Sequence, residues 1–200
     1  MKSNRLRVLL VVAAAAVALT GCSTLGAGAA AVVGGERVSA AELNGNVEAV
    51  QREAKAAGVD LSQPDALPAK LPQVVLHYLV LIKQADKLAA RDGITVTEAE
   101  IDAQIRQYEQ AYNTPFDRLA PTAAIPQALI RDWMRAQIIQ TKVAGRLGIN
   151  EQTGQAEALS KLDKELSAAA PVEWSPRYGS RTGLDGRFTL PDRFGAPDEG

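Results

Sequence analysis

Cysteine and histidine occur once each in the 200 residues, as Cys22 and His77, and that already narrows the available chemistry. A Ser-His-Asp or Cys-His nucleophile needs an imidazole held by a partner, and His77 has Gln73 and Leu81 one helical turn to either side. Its place on the polar stripe of a helix reads as a surface or groove-edge side chain. Zinc sites draw on several Cys and His ligands, so none is expected. Gly26-Ala27-Gly28-Ala29-Ala30-Ala31 fits a loose dinucleotide fingerprint, but no strand precedes it. There is no Gly-Lys-Ser/Thr phosphate loop. With 22 basic and 23 acidic residues, the formal charge of −1 lacks the basic excess of a nucleic-acid binder. The expectation is no catalytic residue, no metal, no cofactor, and neither nucleotide nor nucleic acid as a partner.

Cys22 has another chemistry open to it. Lys2, Arg5 and Arg7 form a basic start, and Val8 to Leu19 is an unbroken apolar run. That run suits a signal peptide and is shorter than the roughly 20 residues a bilayer span needs. It ends in Leu19-Thr20-Gly21-Cys22, an aliphatic residue and two small ones before a thiol. This has the form of a lipobox, in which the sulfur takes a diacylglyceryl thioether and becomes the new N-terminus. Residues 1–21 are therefore expected to be a lipoprotein signal peptide and 22–29 a tether. Attachment would rest on the acyl chains, because two or more hold stably where one does not. The expected location is the extracytoplasmic face of a cell membrane. Without Lys2, Arg5 and Arg7 the formal charge falls from −1 to −4.

The elements that follow are mostly helical. Aromatics make up 4% of a chain that is 46% hydrophobic, so the core is built from Ala, Val, Leu and Ile, which favours helices. Ala31-Val32-Val33 and Glu36-Arg37-Val38 read as short strands around Gly34-Gly35. Ser39 and Glu42 then form a capping box, opening a helix with Leu43, Val47, Val50, Ala54 and Ala57 on one face and a stop at Gly58. Pro64, Pro68 and Pro72 mark a loop. Gln73 to Asp92 is the most apolar helix, with a narrow polar face of Gln73, His77, Gln84, Lys87 and Arg91, and it should lie at the centre of a bundle or line a groove. Thr97 and Glu100 form a second capping box, leading a charged helix with a thin stripe of Ile101, Ile105, Tyr108 and Tyr112. A second loop runs from Asn113 to Pro126, and a helix from Gln127 to Leu147 carries Arg131, Arg135, Lys142 and Arg146 along one face. A shorter helix is expected from Glu151 to Ala169. Val172 to Ser175 is strand-like and is expected to pair with the 32–38 hairpin, and 180–200 reads as a disordered tail.

The stretch Val32-Val33-Gly34-Gly35-Glu36-Arg37-Val38-Ser39-Ala40-Ala41-Glu42-Leu43 resembles the opening of the SurA/PrsA-type foldase N-terminal domain. Gly34 stands where that family often has Asn. The order that follows is similar too: a helix, a Pro-broken loop, a very apolar helix, the entry Gly93, Ile94, Val96, Thr97, Glu100 and Ile101, then a long helix ending near Gly148. The resemblance covers about residues 30–150. It implies a fold that is mainly α, a SurA-N-like helical domain over 30–179 with a small hairpin or sheet formed by N-terminal and C-terminal strands. It also implies a domain that binds unfolded or secreted polypeptides in an apolar groove, without ATP. Leu79, Ile82, Trp133 and Met134 are the candidate client-binding residues. The parvulin isomerase domain that larger relatives carry needs about 90–100 residues and its own histidines, so isomerase activity ranks last. The rival class is an adaptor docking one folded partner through the Arg131–Arg146 face or the Trp174–Gly179 segment.

Overall fold

The computed structural model describes residues 26–63, 65–181 and 188–189. The expected signal peptide, Cys22 and most of the expected tail lie outside them.

Strand β1 (Ala29–Val33) and strand β2 (Glu36–Ser39) form an antiparallel hairpin. Its turn residues Gly34 and Gly35 have φ of +53° and +81°, the left-handed pair a tight hairpin with this twist requires. Strand β3 (Val172–Trp174) pairs antiparallel with the other edge of β1, in the register Ala31↔Trp174, Val32↔Glu173 and Val33↔Val172. The expected closure of the N-terminal hairpin by a C-terminal strand is therefore present, with β1 in the middle. Alanine favours helices, yet Ala29, Ala30 and Ala31 are strand; every residue of β1 is buried, and small side chains let a strand fit between close neighbours. Ala29 thus belongs to the sheet rather than to the tether.

Helix α1 (Ala40–Ala56) starts at the Ser39 capping box, where Glu42 N–H donates to Ser39 Oγ at 3.0 Å and Ser39 N–H to Glu42 Oε2 at 3.3 Å. Leu43, Val50 and Ala54 are buried, while Ala57 is the exposed C-cap, so the apolar stripe ends a turn before the helix signals suggest. Helix α2 (Leu71–Asp92) stops at Gly93 in the left-handed conformation. Helix α3 (Glu98–Tyr112) starts at the Thr97–Glu100 capping box. The expected loop from 113 to 126 contains a single-turn helix α4 (Phe116–Leu119) and a 3-10 turn, because Phe116, Ala120 and Ile125 have apolar places to fill. Helix α5 (Ile130–Arg146) and helix α6 (Gln155–Ala169) complete the bundle. Beyond 179, where disorder is expected, Ser180–Arg181 (β4) pairs with Phe188–Thr189 (β5), and the Trp174 and Phe188 rings meet edge-on at 5.5 Å.

Helix α2 touches β1, α1, α5 and α6, which gives it the central place its composition calls for. One core joins the sheet, α1 and the first half of α2; a second joins the rest of α2, α5 and α6; a third lies between α3, α4 and α5. No helix among the described residues is long and apolar enough to cross a membrane.

The polar face of α2 corrects the surface reading of its side chains. Gln73 and Gln84 are buried. Gln73 Nε2 donates to Tyr178 O and Gln84 Nε2 to Ala170 O, both at 2.9 Å. His77 lies between them, and Arg181 Nη1 donates to its Nδ1 at 2.5 Å. Burial, with the positive charge of Arg181 second, lowers the His77 pKa to about 3, so the imidazole is neutral. Polar residues on a helix are expected to face water; here they hold the returning C-terminal segment and satisfy its carbonyls, as buried polar groups must.

The same segment decides the residue at the hairpin turn. A Cβ on Gly34 would sit 3.1 Å from Ala170 Cβ and 3.4 Å from its Cα. Asparagine tolerates the positive φ but not that contact. Gly34→Asn is expected to cost about 1–3 kcal/mol, as overpacking does. Gly35→Asn, whose Cβ meets nothing within 4 Å, is expected to cost less; urea unfolding of the two variants checks the difference.

Candidate functional site: an aromatic surface

The stripe on α3 rises out of the core. Ile101 is fully buried, Ile105 and Tyr108 are half-buried, and Tyr112, at 62% exposure, is the most exposed large apolar side chain of the described residues. Asn113, at φ +47°, ends the helix in a left-handed turn. Glu109 Oε1 accepts the Phe116 N–H at 3.0 Å, folding the chain back so that the Phe116 ring enters beneath α3. Trp133 arrives from the first turn of α5 and Tyr78 from the middle of α2.

These rings form a continuous series. Tyr112 and Tyr108 lie parallel, with centroids 6.4 Å apart and planes 6° from coplanar. Tyr108 meets Phe116 edge-on at 5.5 Å and Trp133 at 6.0 Å. Trp133 stacks on Phe116 at 6.0 Å and meets Tyr78 at 6.5 Å. Such pairs add roughly 0.5–1.5 kcal/mol beyond area burial. Five of the nine aromatic residues of the chain are gathered here. The inner end is anchored: Tyr78 OH donates to Ala123 O at 2.8 Å, and burial raises its pKa to about 12, so it stays a donor. At the outer end, Tyr108, Tyr112, Ala111, Gln104 and Gln107 border a depression of about 270 Å³. Rigid rings anchored at one end and wet at the other offer contact area at little entropic cost, with Tyr hydroxyls as polar handles.

The four candidate residues are divided. Trp133 is half-buried at the heart of the ring series, and Met134 beside it is fully buried in the same core. Leu79 is 5% exposed, and Ile82 is half-buried. Leu79 and Ile82 border a different cavity, of about 260 Å³, with Leu129, Lys83 and the carboxylates of Glu36, Glu42, Asp86 and Asp132. Desolvation raises the Asp86 pKa, with the neighbouring charges of Arg135, Asp132, Lys83 and Glu36 pulling both ways. In this conformation Leu79 and Met134 present almost no surface to a partner. Tyr78, Tyr108, Tyr112 and Phe116 were not among the candidates. Two tyrosines four residues apart on an otherwise charged helix, with a Phe just past a Pro, carried the signal.

The basic face of α5 is spent within the fold. Arg131 pairs with Glu98 at 2.5 Å and Asp102 at 2.9 Å, Arg135 with Glu98 at 3.1 Å and Asp132 at 2.6 Å. Lys142 reaches Glu100 at 2.6 Å, and Arg146 reaches Asp92 at 2.6 Å. Hydrogen bonds from Arg91 and Arg146 lower the Asp92 pKa to about 2, and those from Lys142 and Thr97 lower that of Glu100 to about 2. The contribution of these carboxylates is present above their unfolded values near 4 and is lost as pH falls toward 2. Exposed pairs are individually weak. Glu98→Gln is expected to move the melting midpoint at pH 7 by no more than about 4 °C, and by still less at 1 M salt, as calorimetry at both ionic strengths would read. Among the described residues no group of His, Cys, Asp and Glu could hold a metal ion.

Residues 1–147, which include β1, β2 and α1 to α5, match the SurA-like N-terminal domain. The chain belongs to that family. No curated protein and no solved structure matches it. Membership places it with chaperone-related, foldase-associated modules, and SurA-like domains are associated with binding client polypeptides. No parvulin domain accompanies the match. In this SurA-like domain the aromatic surface lies wholly within the matched residues, while α6, β3 and the segment held by Gln73 and Gln84 follow them.

Proposed function

We propose that this SurA-like domain is an ATP-independent holdase that binds unfolded exported polypeptides at the cell envelope, using the Tyr108, Tyr112 and Trp133 surface. The observation that carries this reading is the ring series leading from exposed Tyr112 into the core. A holdase needs no catalytic group. It needs apolar surface with weak directional demands, so that many sequences fit. The rival adaptor reading loses one of its two contacts, since the Arg131–Arg146 face is paired internally.

In the same proposal a thioether-linked lipid on Cys22 holds the domain at the extracytoplasmic face of the membrane. Mass spectrometry of the membrane-extracted protein would read the acyl mass on the Cys22 peptide, and Cys22→Ser would release the protein from membranes. The holdase activity itself is tested with two unrelated aggregating clients at stoichiometric protein without ATP. Suppression of both supports the reading. Failure with both overturns it and directs the search to a single folded partner.

A further inference from the structure

The segment from Ala170 to Arg181 follows the matched residues and runs along a trough between the edge of β1 opposite β2 and one stripe of α2. On the sheet side, Gly34 N–H donates to Pro171 O at 2.9 Å and Ser175 N–H to Ala30 O at 3.0 Å. On the helix side, Gln84 Nε2 takes Ala170 O and Gln73 Nε2 takes Tyr178 O, both at 2.9 Å. Gln73 is held at both ends of its amide, since its Oε1 also accepts the Lys70 N–H at 3.2 Å. These four hydrogen bonds address main-chain groups of the segment, His77 to Arg181 addresses a side chain, and Val172, Trp174 and Tyr178 pack against the core.

Main-chain recognition along a sheet edge is indifferent to sequence, the property that strand-addition sites use. The present occupant holds only a three-residue ladder, with Glu173 exposed and Val172 and Trp174 half-buried. It leaves α6 at Ala170, in extended conformation, followed by Pro171, which has no N–H to give. An incoming extended strand would remake each main-chain hydrogen bond the segment gives up, so the exchange is nearly balanced in that currency.

We propose that the β1 edge with Gln73, His77 and Gln84 is a binding trough for an extended polypeptide strand, and that residues 170–181 are its built-in occupant, displaced when an unfolded chain enters. This rests on the holdase reading for its ligand. The trough supplies backbone capture, while the aromatic surface supplies side-chain contact.

The register provides the test. Hydrogen bonds at 34/171 and 30/175 make Val33 and Val172 a non-hydrogen-bonded pair, whose Cα atoms lie about 4.5 Å apart, within disulfide range. Val33→Cys with Val172→Cys, in the full chain carrying Cys22→Ser, locks the segment when oxidised and frees it when reduced. The probe is a fluorescein-labelled peptide of residues 170–181, read by anisotropy. Reduction is expected to strengthen peptide binding at least tenfold, and Trp174→Ala to strengthen it in the otherwise native chain. His77 supplies a second reading, because the lone imidazole gives one set of ring proton resonances. In the oxidised chain they should not titrate between pH 8 and 5, and in the Trp174→Ala chain they should titrate near 6.5. Equal peptide binding by oxidised and reduced forms overturns the proposal, as does the absence of binding by every form. If the lock leaves aggregation suppression intact while Tyr112→Ala lowers it several-fold, the trough fails and the holdase reading stands. If no form suppresses aggregation yet the lock excludes the peptide, the holdase reading fails and the trough stands.

Discussion

Trp133→Ala is expected to destabilise the fold by about 3 kcal/mol and to abolish suppression of client aggregation. Its ring touches Tyr78, Tyr108 and Phe116, so truncation opens a hole among three side chains that cannot all close it. Buried Phe or Trp truncations cost about 3–5 kcal/mol, and the half-exposed position of Trp133 sets the lower end. Tyr112→Ala is the discriminating partner variant. Tyr112 is 62% exposed, and exposed substitutions usually stay within about 0.5 kcal/mol, so the melting midpoint should hold while suppression falls several-fold. Urea denaturation and light scattering on the two variants separate scaffold from surface. Full suppression by Tyr112→Ala would remove the aromatic surface from the function.

The second large effect is a loss of stability on mild acidification, centred on His77. Its folded pKa of about 3 lies below the ordinary 6.5, so above pH 6.5 the folded and unfolded forms are equally neutral there. As pH falls from 6.5 toward 3, only the form with a hydrated imidazole takes up the proton, and the folded form loses ground. By pH 5 the difference reaches about 2 kcal/mol. The groups facing the ring are Arg181 from the C-terminal segment and Tyr78 on its own helix, and neither gains charge in that window. The α3–α5 carboxylates act lower, below about pH 4.5, so the two causes separate on the pH axis. His77→Asn should flatten the profile between pH 6.5 and 5 and leave the steeper fall below it. A profile unchanged by that substitution would assign the acid sensitivity elsewhere.

What was legible in the chain was whatever a few neighbouring residues decide among themselves. The Ser39–Glu42 and Thr97–Glu100 boxes close hydrogen bonds three residues apart. The stop at Gly93 and the Gly34-Gly35 turn need only backbone freedom at their own positions. The central place of α2 follows from an apolar circumference that has to be covered on several sides. The pairing of 172–175 with the hairpin was also readable, because a strand edge demands hydrogen-bond partners and the chain offers few other strand-like segments.

Charge and polarity misled wherever the partner was distant in sequence. Gln73 and Gln84 read only as members of a narrow polar face, and their carbonyl partners lie 105 and 86 residues away. The basic face of α5 read as a contact for one folded partner, and Glu98, Glu100 and Asp92 had already taken it. Leu79 and Met134 looked available because an apolar side chain carries no mark of which apolar neighbour will cover it. The sequence by itself determined that the chain would be helical, that capping boxes at Ser39 and Thr97 open two of its helices and Gly93 closes a third, and that a C-terminal strand would close the hairpin. Only the tertiary structure decided which faces stay wet, which rings meet, and why Gly34 has Ala170 against it. Those outcomes depend on packing between segments far apart in the chain, and local spacing does not encode it.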